Sequence, residues 1–109
     1  MQLPDAHGAV IALEKITEYL LSDVHPEGRG KAAFFRRNGF RREEPLALRS
    51  ALLHLARHTD MSESVFAFGK KYVGSGELRC PDGRMVPVVT VWVLRGGQPP
   101  PYFVTAYPA

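Results

Sequence analysis

The segment Met85–Arg95, MVPVVTVWVLR, does most to narrow the folds open to this chain. Its valines, threonine and tryptophan favour a pleated strand over a helix. The PDGR turn before it and the GGQPPP stretch after it bound the strand between chain reversals. Alternation sends Val89, Val91 and Val93 to one side, and Val88, Thr90, Trp92 and Leu94 to the other. A run apolar on both sides reads as a central strand. Its neighbours are legible too. VFAFGKKYVGSGEL is rich in aromatic and β-branched residues, with glycines that suggest a bend or bulge. YFVTAYP is the final strand, with Phe103, Thr105 and Tyr107 on one face and Tyr102, Val104 and Ala106 on the other.

The first half has the helical period instead. ALEKITEYLLS spaces Leu13, Ile16 and Leu20 for one apolar face. Pro26 disfavours a helical His25, and Gly28 frees the turn. A second helix is expected over about Arg29–Asn38, with Gly39 as its stop. Pro45 suits the first turn of a third helix, with Leu48, Leu52 and Leu55 as its stripe. The polar HTDMSES ends it. The expected fold is α+β, one domain over residues 1–109, helical over about 10–60 and strand-forming over about 64–108. Three helices would pack on an antiparallel sheet of three to four strands, against the valine face. The other face would carry Thr90, Trp92, Thr105 and Tyr107.

Composition excludes some classes. At 45% hydrophobic the chain is too apolar for a disordered segment, and no apolar run has membrane-spanning length. MQLPDAHGAV lacks a signal-peptide pattern, which points to the cytoplasm and leaves export by a signal-less route open. The single cysteine, Cys80, lies in a turn without zinc-ligand spacing and reads as structural. His54 and His58 are four apart on a helix without a third ligand, so neither a metal nor another cofactor is expected.

Charge is more informative in its placement than in its total of +3. Arg29, Lys31, Arg36, Arg37, Arg41 and Arg42 lie between Glu27 and Glu43 with no acid among them, a local positive field. Arg36 to Arg42 suit a helix C-terminus in their own right. HPEGRGK, His25–Lys31, is different. Cations at a helix start oppose the dipole, an unfavourable local choice that hints at function. A histidine side chain titrates near neutral pH, arginine grips phosphate through two N–H groups, and lysine is a point charge. Metal-free RNA cleavage needs a base, an acid and phosphate-binding cations, and His25, Arg29 and Lys31 supply each type. A packed turn followed by a solvated helix start explains the same residues.

Four sheet residues and one lysine join the candidate site. Thr90 and Thr105 are lone hydroxyls among apolar neighbours, suited to phosphate or to a cross-strand threonine pair. Trp92 and Tyr107 suit base stacking or a small core. Lys71 suits substrate binding or the protection of an edge strand.

The segments YLLSDVHPEGRGKAAFF, GKKYVGSGEL with CPDGR, VVTVWVLRGG and YFVTAYP resemble a small bacterial domain family of unknown function. That family has a His-Pro-x-Gly-Arg-x-Lys-Ala segment, a Thr-Val-Trp strand and a terminal Thr-Ala-Tyr-Pro. The resemblance spans about Ala9 to Pro108, with Gly30 where the family usually has serine. Such domains occur alone, beside small antitoxin-like proteins and at the C-termini of larger toxins. The order of elements also resembles the barnase, colicin and RelE ribonuclease toxins. The resemblance implies a metal-independent endoribonuclease toxin domain, with RNA as substrate and a cognate antitoxin or immunity protein as partner. His25, Lys31 and Thr90 would be catalytic; Arg29, Lys71, Trp92, Thr105 and Tyr107 would bind substrate. A non-enzymatic protein- or nucleic-acid-binding module of such a system is the alternative.

Overall fold

The computed structural model of the chain describes every residue but Glu27 and Gly28, and Arg29 by its backbone alone. Among the described residues, a short 3-10 turn (Ala6–Gly8) and three α-helices precede four strands. α1 (Leu13–Lys15) runs directly into a π-helical turn (Ile16–Leu20); α2 (Arg29–Arg37) and α3 (Pro45–Arg57) follow. The strands β1 (Ser62–Phe66), β2 (Gly69–Arg79), β3 (Met85–Arg95) and β4 (Tyr102–Pro108) form one antiparallel meander in chain order. The α+β expectation holds at this level.

Local chemistry explains the helix ends. Gly39 adopts φ 95°, a conformation that disfavours side chains, just past the last turn of α2. Its N–H donates to the Arg36 carbonyl and the Phe40 N–H to the Phe35 carbonyl, both at 3.0 Å. That pairing is a Schellman cap, and Phe35 and Phe40 supply its hydrophobic contact with ring centroids 6.3 Å apart. Both rings are buried, so the cap also turns the chain into the core. Pro45 opens α3, where the missing N–H costs nothing, and Leu48, Leu52, Leu55 and Ala56 form its buried stripe.

The sheet buries the face opposite to the one expected. Val88, Thr90, Trp92 and Leu94 of β3 are interior, together with Tyr72 and Leu78 of β2 and Phe103 and Ala106 of β4. The valine face is the outer one. Val89 and Val93 keep part of their surface in water, and only Val91, at the centre, is buried. The reason is size. One indole offers more apolar area than a valine, so the core is organised round Trp92, edge-to-face with Phe103 at 5.3 Å. Thr90 fits beside it because its hydroxyl accepts the indole N–H at 2.9 Å, so neither polar atom is buried unpaired.

Two glycines let α3 come down on this face. A Cβ on Gly74 would meet the Asp60 carbonyl oxygen at 2.5 Å, and one on Gly76 would collide with the Thr59 hydroxyl. Bare backbone at these positions brings the end of α3 onto β2.

β4 departs from simple alternation. Val91 pairs with Thr105 and Trp92 with Phe103, so Val104 is an extra residue and the register shifts. Phe103 and Ala106 are therefore both interior although three apart. The outer edge of β4 is met by the N-terminal segment. The Val10 N–H donates to the Pro101 carbonyl and the Phe103 N–H to the Val10 carbonyl, each at 2.9 Å. This contact caps an otherwise open edge and sets the start of α1 beside the bulge.

At the other side of the sheet, buried Tyr72 donates its hydroxyl hydrogen bond to Glu63 of β1, its direct cross-strand partner. Burial, then the bond and charge of Glu63, push the phenol up to about 12 from 10.0. The folded state thus holds this proton more tightly than the unfolded chain. Its contribution to stability is complete below about pH 10 and lost as pH rises through 12. Urea unfolding across alkaline pH should show a fall in stability for the wild type that is shallower in Tyr72→Phe. Equal slopes would remove Tyr72 as the cause.

Candidate functional site

The site residues converge on Tyr19, in the π-helical turn that continues α1. The turn closes with the Leu21 N–H donating to the Ile16 carbonyl at 2.9 Å, five residues back. Such turns are rare and recur at functional sites. Here Ile16 and Leu20 anchor it in the core while Tyr19 stays part-exposed beside β4.

Four side chains surround the Tyr19 ring. Lys31, in the first turn of α2, donates from Nζ to the Tyr19 hydroxyl at 2.8 Å. The Thr105 hydroxyl lies 2.9 Å from the same oxygen. Lys15 sits four residues before Tyr19, with Nζ 5.2 Å from the ring centroid, and bonds the carbonyl of the bulged residue Val104 at 3.1 Å. Lys31 Nζ is 5.0 Å from that centroid, so two ammonium groups flank one ring. His25 meets the ring edge-on at 4.9 Å. Its turn is held by Ser22, whose hydroxyl accepts the N–H groups of Val24 and His25.

These neighbours change Tyr19. Partial burial raises its pKa, but the bonds to Lys31 and Thr105, with the charges of Lys31 and Lys15, outweigh burial and leave the phenol below its ordinary value of 10.0. Lys15, Tyr19, His25 and Thr105 line an open cleft of about 700 Å³, together with Glu14 and Glu18.

His25, Lys31 and Thr105 are thus brought together, from the connection before α2, from α2 and from β4. Other expected site residues fall elsewhere. Thr90 and Trp92 are both fully buried and hydrogen-bonded to each other, in the core and not on a site-facing surface. Lys71 and Tyr107 are exposed on the outer sheet face, opposite Val93 and Val89 respectively. The side chain of Arg29 and the expected freedom at Gly28 lie outside the described residues. The basic stretch from the last turn of α2 onward is largely paired: Arg36 with Asp23, Arg41 with Glu43 at 3.5 Å, and Arg42 with both oxygens of Glu18 at 3.0 and 3.1 Å.

Tyr19 and Lys15 are the site residues that sequence reading missed. Their four-residue spacing is a signal, since it sets a cation beside a ring on one helix face. Cys80 is buried, and burial pushes its thiol up, away from the thiolate a nucleophile needs. Among the described residues no three His, Cys, Asp or Glu side chains stand together to hold a metal, and no helix is long and apolar enough to cross a membrane.

A model of a family of domains of unknown function, DUF6883, matches residues 2–109. The chain belongs to this family. The match spans both the helical layer and the sheet, so the Tyr19 cluster is built wholly inside the DUF6883 domain. No curated protein and no solved structure matches the chain.

Proposed function

We propose that this DUF6883 domain cleaves RNA without a metal, by transesterification, as the toxin of a bacterial toxin–antitoxin or effector system. The observation that carries the reading is the Tyr19 hydroxyl. It is held by Lys31 and Thr105 beside His25, and its pKa is lowered by its neighbours. In this reading the Tyr19 phenolate takes the proton of a ribose 2′-hydroxyl. The 2′-oxygen attacks the adjacent phosphorus, and the bond to the 5′-oxygen breaks. The imidazolium form of His25 gives that leaving oxygen its proton. Products are a 2′,3′-cyclic phosphate and a 5′-hydroxyl end. Lys15 and Lys31 stabilise the charge that gathers on the phosphate. Thr90 has no part, because its hydroxyl is committed to Trp92 in the core.

End-labelled RNA incubated with purified protein in a chelator provides the test. Cyclic-phosphate and 5′-hydroxyl ends are expected, with each of Lys31→Ala and His25→Ala slowing cleavage by about 10²-fold or more. Folded variants that both cleave like the wild type would sink the assignment.

A second reading, a non-enzymatic module that binds a protein partner, draws on Glu14 and Glu18. Both carboxylates line the cleft, Glu18 already bonded to Arg42, and an acidic lining suits a cationic partner better than a polyanion. It predicts no cleavage by the wild type.

A further inference from the structure

The outer face of the sheet carries a stacking surface of which the catalytic reading uses Thr105 alone. Its rows follow from the register. Lys71 lies opposite Val93, which lies opposite Tyr102; Val73, Val91 and Thr105 form the next row; Ser75, Val89 and Tyr107 form the third. Arg95 extends the same face, with its guanidinium carbon 3.7 Å from the Tyr102 ring centroid. Arg95, Lys71 and Tyr107 are all exposed.

We infer that this face binds single-stranded RNA, with bases stacked on Tyr107 and on the Arg95–Tyr102 pair, and with Lys71 on phosphate. The inference rests on the RNA-cleavage reading and names where its substrate runs.

Four observations favour this occupant. A guanidinium 3.7 Å over a tyrosine ring puts a planar cation beside an aromatic face, two groups on which bases stack, and stacking of this kind tolerates any base. The valines between the aromatic positions give a low apolar floor, open to the flat face of a base. The charge is complementary to phosphate at the Lys71 and Arg95 end, where two cations stand within one row of each other. The track also leads to the site. Thr105 lies in the middle row, between Tyr102 and Tyr107, and its hydroxyl is the one beside Tyr19. The outer rows are four residues apart along β3, about 13 Å at roughly 3.3 Å per residue. A strand crossing that span passes the bulge where the cleft begins.

The test uses a fluorescent 2′-O-methyl oligoribonucleotide, which lacks the attacking hydroxyl and is not cleaved by this route. Its binding is followed by anisotropy over a salt series. Wild type is expected to bind with strong salt dependence. Tyr107→Ala and Arg95→Ala should each weaken binding by about tenfold. Tyr107→Trp, which keeps a stacking ring, should bind like the wild type. Lys71→Gln should lower the slope of log Kd against log salt by about 0.7. Near-UV circular dichroism confirms that each surface variant is folded. No binding by the wild type, or unchanged binding by Tyr107→Ala and Arg95→Ala, overturns the inference. The two readings fail separately: binding that these variants weaken, without cleavage of natural RNA, supports the face and removes the catalysis. Cleavage with unchanged binding in the variants does the reverse.

Discussion

Tyr19→Phe is expected to slow RNA cleavage by about 10²–10⁴-fold, the range set by loss of one positioned acid or base. The substitution keeps the ring, so the edge contact with His25 and the flanking ammonium groups remain. It removes one oxygen, the acceptor of the Lys31 bond and the neighbour of the Thr105 hydroxyl. The site is part-exposed, so water replaces that oxygen and the cost in stability is about 1 kcal/mol. A large fall in rate from a folded protein would therefore report chemistry. The pH profile sharpens the test. Burial alone would raise the phenol, and Lys31 is the foremost influence in the other direction. The limb of the rate profile that rises with pH should lie below 10.0 in the wild type. In Lys31→Ala it should move upward, and Lys31→Arg should restore part of the displacement. Phenolate absorbance, taken as the difference between wild type and Tyr19→Phe because the chain has four tyrosines, gives the same titration without turnover. A Tyr19→Phe variant that cleaves at the wild-type rate would remove the phenol from the mechanism, whatever the other variants do.

Legibility in the sequence followed the range of the interaction concerned. The Gly39 stop, the Pro45 start and the PDGR reversal each depend on a few adjacent residues, and each stands where expected. The choice of sheet face does not depend on adjacent residues. Both sides of MVPVVTVWVLR are apolar, so alternation defines two faces without saying which one the helices cover. Counting valines favoured one face; the area of a single tryptophan decided for the other. The bulge at Val104 is likewise invisible to a period of two, and it set Phe103 and Ala106 on the same side. The site was half legible. His25 and Lys31 were readable because an unfavourable helix start drew attention to them. Tyr19 was not, because its special character comes from Thr105, 86 positions away, and from Lys31 across a turn.

Trp92→Ala should destabilise the fold by about 3–5 kcal/mol, the cost of emptying a large aromatic site in a packed core. The indole is fully buried, touches Phe103 and donates to Thr90, so the deletion leaves both a cavity and an unpaired hydroxyl. Urea unfolding measures this directly, and a loss below about 1 kcal/mol would contradict an interior Trp92. Thr90 supplies an independent arm. In the wild type, Thr90→Val leaves a buried indole N–H without an acceptor and should cost about 1–3 kcal/mol. In a Trp92→Phe background the same change should be nearly neutral or stabilising, because the hydroxyl has already lost its donor. That difference is a coupling energy between two residues in contact. It also separates structure from catalysis at Thr90. A hydroxyl that bound phosphate would lower the cleavage rate per folded molecule when replaced by valine. A hydroxyl that accepts the indole N–H lowers only the fraction folded, so the rate per folded molecule should stay at the wild-type level.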